Sequence, residues 1–290
     1  IEDGGLILIA DVELTFCRSA PLTPRRTATL AMDSVVGSER ITPTADEVIG
    51  HIRRLHELLT HAALPLEWQP VVEVGRSAPL GWRVELRIAQ VEDRWLQRLL
   101  ALPGRLPQMG RDLFRQRAVA EFPAAESAKV FLLPVWSEDL GDEELPAKFG
   151  HWARSLPARV QLVAEAGVAE LEPETLHPFA ESLRAEGVEL ALAGFVGGKA
   201  QLEPWCRSAP KFLLLDERVT RDLALAGGRS RQLAALAATC RSWNGRVIAG
   251  GIRDDETAEA CREAGCEWTL GSHGTPVLAA EARPLAESAV

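Results

Sequence analysis

The sequence GVELALAGFVGG, residues 187–198, decides how the rest of the chain is read. Residues 188–192 form a short β-prone apolar run that leaves through small residues, Ala193 and Gly194, followed by Phe195, Gly197 and Gly198. A polar segment of helical character, residues 173–186, precedes it. A buried strand with a glycine-rich exit and a helix before it is one repeating unit of an α/β barrel. Chemistry in such barrels sits where the strands end, and this ending carries no acid, no base and no metal ligand.

Outward from this unit, strands and helical segments alternate. Strands are expected at 68–74, 82–88, 129–135, 159–163, 188–192, 211–215, 246–249 and 268–270, with helices near 91–102 and 111–120. The first two strands are joined only by GRSAP, and so short a connection demands an antiparallel pair. The fold class is therefore α/β, a TIM-type (β/α)8 barrel whose first strand runs antiparallel, occupying residues 64–280.

Upstream, residues 3–18 (DGGLILIADVELTFCR) read as a β-hairpin turning at Ala10 and Asp11, within a segment 1–18. Residues 19–44, rich in Ser, Thr, Pro and Arg, read as a linker. In 45–63, Val48, Ile49, Ile52, Leu55, Leu58 and Leu59 recur at three- and four-residue spacing, the mark of an amphipathic helix. His51, His56 and His61 lie on it five apart, a spacing that scatters them around the helix and argues against a shared metal. Residues 281–290 form a tail. The chain opens on Ile1 rather than Met, so a longer protein is expected.

The chain holds 32 Lys and Arg against 41 Asp and Glu, a net charge of −9, and no basic block interleaved with aromatics. That balance argues against nucleic acid as a partner. No apolar run reaches the length of a membrane span. Five cysteines, an odd number without a CxxC pair, are expected to be reduced and mostly buried thiols of a cytoplasmic protein. Nucleophile-elbow, phosphate-loop and dinucleotide motifs are missing, and the glycine-rich 194–199, which ends in lysine, lacks the following Ser or Thr and the spacing of a phosphate loop. No cofactor and no metal site is expected.

Gln69-Pro-Val-Val72, Gly81-Trp-Arg-Val-Glu-Leu-Arg87, the 187–198 stretch, and segments 212–216, 247–253 and 265–276 resemble, in order, the motifs of the EAL domain, the cyclic di-GMP phosphodiesterase barrel. The resemblance implies two metal ions held by acids and amides at the strand ends. It also places those family positions on Arg83, Pro134, Val163 or Gln161, Ala193, Gly194, Leu214, Gly250 and Leu270, none of which keeps the family residue. The implied protein is a degenerate EAL barrel that is not an enzyme. It would be a signalling or scaffold module acting through an unidentified protein partner, with a cyclic di-GMP sensor without hydrolysis as the alternative. The candidate ligand pocket is Gln69, Arg83, Glu85, Arg87, Phe195 and Asp216, of which Arg87, Phe195 and Asp216 coincide with the family. The competing reading makes Arg87 an internal ion-pair partner, Phe195 a packed aromatic and Asp216 a strand-end cap. A homodimer through residues 197–205 is also implied. The hairpin weakly resembles the closing strands of a forkhead-associated (FHA) domain, whose phosphate-binding loops would lie upstream of Ile1.

One geometric expectation follows from strand periodicity. Residues two apart share a face, so Arg83, Glu85 and Arg87 point the same way. Buried charges need partners, which predicts a guanidinium at the barrel mouth paired with Glu85 or with Asp216 as the second acid.

Overall fold

The computed structural model describes residues 6–9, 12–15, 50, 53, 64, 66–74, 76, 78–86, 96–97, 100–101, 104–124, 127–196, 198–221, 227–252, 254–271 and 278–280. The linker, the tail, Arg87 and all of the 45–63 helix but Gly50 and Arg53, both helical, lie outside them. β1 (Leu6–Ile9) and β2 (Val12–Thr15) pair antiparallel in a two-stranded sheet of their own.

The barrel wall begins with β3 (Leu66–Glu73) and β4 (Pro79–Leu86), which pair antiparallel because the connection between them is too short for a crossover. From β4 the strands run parallel: β5 (Val130–Val135), β6 (Gln161–Gly167), β7 (Glu189–Phe195), β8 (Phe212–Leu215), β9 (Arg246–Gly250) and β10 (Trp268–Leu270). β10 returns to pair with β3 and closes the ring. A further strand, β11 (Leu278–Ala280), pairs with the other half of β3, an element that sequence reading did not anticipate.

Outside the wall lie α1 (Arg105–Ala120), α2 (Leu145–Ser155), α3 (Pro173–Ala185), α4 (Lys199–Leu202), α5 (Glu217–Arg221), α6 (Gly227–Ser242) and α7 (Asp255–Glu263). α1 starts six residues before the expected 111. Pro107 falls in its first turn, where the N–H groups have no intrahelical acceptor, so the proline does not end the helix. Among the described residues no helix is long and apolar enough to cross a membrane.

Alternation along the strands divides the core in two. Val71, Leu132, Val163, Ala191, Leu214 and Ile248 fill the barrel interior. Their neighbours, among them Leu133, Leu162, Leu190, Leu192 and Leu213, face the helices. Charge is buried in this outer layer as well. Arg111 and Arg115 of α1, 2% and 0% exposed, converge on Asp139 in the 3-10 turn Ser137–Gly141. Asp139 accepts from Arg111 Nε at 2.7 Å, from Arg115 Nη2, and from the Trp136 N–H at 2.9 Å. Arg115 also donates to the Pro134 carbonyl at 3.0 Å and lies 4.9 Å from the centre of the Trp136 ring.

Candidate functional site at the barrel mouth

Arg83 and Glu85, two apart on β4, both line a cavity of about 400 Å³ at the mouth where the parallel strands end. Gln69 of β3 is the direct cross-strand neighbour of Arg83, so it lines the same cavity. The floor and far wall are mostly apolar or bare backbone: Ala193, Gly194, Leu214, Gly250 and Leu270.

The Arg83 guanidinium is the centre of a closed set of bonds. Nε donates to both carboxylate oxygens of Glu165, at 2.9 and 2.8 Å, and Nη2 reaches Oε1 of the same acid at 2.5 Å. Nη1 donates to Gln69 Oε1 at 3.2 Å and pairs with Glu85. Gln69 Nε2 closes the ring by donating to Glu85 Oε2 at 2.7 Å. Every polar atom named here thus has a partner, as a half-buried charge cluster requires.

Electrostatics follow from this packing. Burial alone would lower the pKa of Arg83, but the charges of Glu165 and then Glu85, with the Glu165 hydrogen bonds, outweigh it and hold the guanidinium above its ordinary value. Burial pushes the Glu85 carboxyl above its ordinary 4.5. The attraction of Arg83 opposes this, while the like charges of Glu165 and Glu67 add to it.

Glu165, 5% exposed, is the residue that sequence reasoning missed. The strand was expected to end at 163, whereas β6 runs to Gly167 and carries Glu165 to the mouth on the same face as Val163. Two further expectations are corrected. Asp216 lines the cavity but is not the second acid of the cluster. It stands at the start of α5, where it accepts from the Arg218 N–H at 2.9 Å and from Arg218 Nε and Nη2 at 2.9 and 3.2 Å. The Arg218 hydrogen bonds hold its carboxyl below the usual range, against the opposing effect of burial.

Phe195 does not line the mouth at all. Its ring is 3% exposed and belongs to the layer between sheet and helices. Simple alternation from Ala191 and Ala193 would turn residue 195 inward, but Gly194 sits at φ +73° and the β7–β8 register breaks between Leu192 and Phe195. The break reverses the side on which the next residue points. Arg87, the remaining candidate, lies outside the described residues.

Among the described residues no three His, Cys, Asp or Glu side chains are grouped so as to hold a metal ion. The described cysteines are free, and burial raises the thiols of Cys240 and Cys261 to about 12 and about 11.

The family model for the EAL domain matches residues 52–275. Among solved structures, the FimX EAL domain from Pseudomonas aeruginosa bound to c-di-GMP is similar with a TM-score of 0.60 and 17% identity, over 76% of this chain and 93% of that one. An EAL domain protein from Listeria monocytogenes EGD-e gives a TM-score of 0.62 and 15% identity, over 81% and 94%. The Xanthomonas citri FimX EAL domain in complex with c-diGMP gives 0.60 and 14%, over 80% and 95%. At such identities the likeness concerns the fold. No curated protein sequence matches the chain.

Proposed function

The chain belongs to the EAL domain family, and on that footing we propose that it is a non-catalytic signalling module, a degenerate EAL barrel that works through protein contacts rather than phosphodiester hydrolysis. The observation that carries this reading is Arg83. A fixed positive charge occupies the mouth and engages the two acids nearest to it, Glu165 and Glu85.

The donors at the mouth decide whether a pair of divalent ions could sit there. Such ions take several carboxylate or amide oxygens at about 2.0–2.6 Å each. Both oxygens of Glu165 are taken by Arg83, Glu85 is divided between Arg83 and Gln69, and Asp216 is held by Arg218. The ends of β7, β8, β9 and β10 offer Ala193, Gly194, Leu214, Gly250 and Leu270, which have no side-chain oxygen. The residues present do not fit the ions, and a guanidinium between the acids would repel them. No hydrolytic step is derived for this mouth.

The second reading, a cyclic di-GMP sensor without turnover, draws on the FimX EAL domains seen with that ligand. Against it, the two acids nearest the guanidinium neutralise it, so a dianionic ligand meets Glu85 and Glu165 together with Arg83. The test is calorimetry of the full chain with cyclic di-GMP, alongside chromatography of the nucleotide after incubation with Mg2+ or Mn2+. Expected are no product and no binding tighter than about 100 µM. Micromolar binding without product would replace the first reading by the sensor, and product formation would overturn both.

A further inference from the structure

The opposite end of the barrel, where the parallel strands enter, holds a second cavity of about 470 Å³ with the reverse charge. Arg76, Lys129, Arg159, Lys211 and Arg246 line it, against only two acids, Glu73 and Glu267. In a chain of net charge −9, such a concentration of cations around one hollow is against the general balance. Both acids are already engaged: Glu73 with Arg76 at 3.1 Å and Glu267 with Arg246 at 3.5 Å. Lys129 and Lys211 have no ion-pair or side-chain hydrogen-bond partner among the described residues.

The lysines are mounted on the wall itself. The Lys129 N–H donates to the Leu80 carbonyl at 2.6 Å and its carbonyl accepts from Gln161 at 2.8 Å. The Lys211 N–H donates to the Leu190 carbonyl at 2.7 Å and its carbonyl accepts from Arg246 at 2.9 Å. They open β5 and β8, which β6 and β7 separate in the wall, so they reach the hollow from different sides. Its aromatic lining is Trp268, stacked on Phe212 at 5.2 Å, with the Arg246 guanidinium 5.1 Å from the Trp268 ring centre. Trp268, packed against the cluster that fills the barrel interior, gives the hollow an apolar face beside its cations.

We propose that this cavity binds a compact phosphate-bearing anion, clamped between Lys129 and Lys211 beside Trp268. The volume suits a small molecule, and two ammonium groups without a partner among the described residues, carried on a rigid frame, suit one or two phosphate groups. The proposal is independent of the chemistry at the mouth, since the two cavities share no residue.

Calorimetry of the full chain with inorganic pyrophosphate, and separately with inorganic phosphate, tests it at low ionic strength. Pyrophosphate is expected to bind with sub-millimolar affinity that weakens as salt is added, and to perturb tryptophan fluorescence. Preference for pyrophosphate would point to a diphosphate-bearing ligand and equal binding of both to a monophosphate; either supports the site. The Lys129→Gln/Lys211→Gln pair should lose at least about tenfold in affinity. Arg154→Gln, which removes an exposed cation on α2, should lose none. Lys129 is exposed, so Lys129→Gln alone provides a variant whose folding is not in question, with unfolding midpoints checked for each. Binding that survives loss of both lysines, or falls equally in Arg154→Gln, or is absent in the starting protein, overturns the assignment.

Discussion

Arg83 and Glu165, on strands separated by β5, are joined by hydrogen bonds from Nε to both carboxylate oxygens at 2.9 and 2.8 Å. The bond spans the mouth of the barrel rather than a single hairpin, so the charge pair also ties the first parallel strand to the third. Arg83→Ala would leave Glu85 and Glu165 facing each other without a cation. The expected cost is about 3–5 kcal/mol of stability, read by urea denaturation. Arg83→Glu, which restores the acid expected of the family, should lose stability further and produce no hydrolysis of cyclic di-GMP, because the other strand ends still lack oxygens.

Glu85 titrates against the fold. Unfolded, it ionises near 4.5, and in the folded chain burial raises that value. Between the two, the folded state holds a proton that the unfolded state has lost, so this residue's contribution to stability falls as pH rises through the window. Glu85→Gln keeps a hydrogen-bonding partner for Gln69 and leaves Arg83 its bonds to Glu165. Denaturation midpoints from pH 4 to 8 should therefore lose part of their slope, with the variant gaining on the parent at the upper end. A variant that falls behind the parent as pH rises would refute this account.

Asp139 answers two buried guanidinium groups at once. Replacing it by Ala removes the carboxylate shared by Arg111 and Arg115, 2% and 0% exposed, and the acceptor of the Trp136 N–H, leaving Arg111 its bond to the Leu100 carbonyl and Arg115 its bonds to Pro134 and Asp112. A loss of about 3–5 kcal/mol is expected in chemical denaturation. Asp139→Asn, which keeps the acceptor oxygen for one donor, should recover part of it.

Gly81 allows β4 to approach β5. A Cβ at that position would overlap the Val130 carbonyl oxygen and stand 2.9 Å from the Val130 Cβ. The neighbour is backbone in a parallel ladder and cannot move aside. Gly81→Ala should cost about 1–3 kcal/mol or more, measured as a drop in the thermal midpoint.

Fold and site were legible to different depths because they are written at different ranges. Strand order and the antiparallel start follow from local features, a short GRSAP link and apolar runs such as 188–192, which need no distant partner to be read. The alternation that placed Arg83 and Glu85 together is equally local, and both line the mouth. Alternation along β7 puts Phe195 at the mouth, but one backbone angle at Gly194 inverts the count in favour of the packed aromatic, and φ is not written in the letters. Glu165 is hidden because VAEAG is too small and polar to announce four more residues of strand beyond Val163. Asp216 pairs not with Arg83 across the barrel but with Arg218, two residues on, which reaches it without any loop closure. Nothing in RDLFRQR marks Arg111 and Arg115 as buried, because the acid they share, Asp139, lies more than twenty residues further along the chain.

β3 touches its neighbours unequally, and that inequality bears on how the protein would misassemble. One side is covered along its length by β4, but on the other β10 reaches only Val71–Glu73, and Leu66–Trp68 is paired by β11. Losing residues 278–280 would uncover the N–H and C=O row of a strand segment whose Leu66 and Trp68 are 0% and 2% exposed in the closed wall. Such a bare apolar rim accepts a strand from another chain as readily as its own. β11 thus acts as a guard against intermolecular strand exchange. A chain shortened to end before it should keep its barrel yet gather into oligomers in a concentration-dependent way, detectable by light scattering.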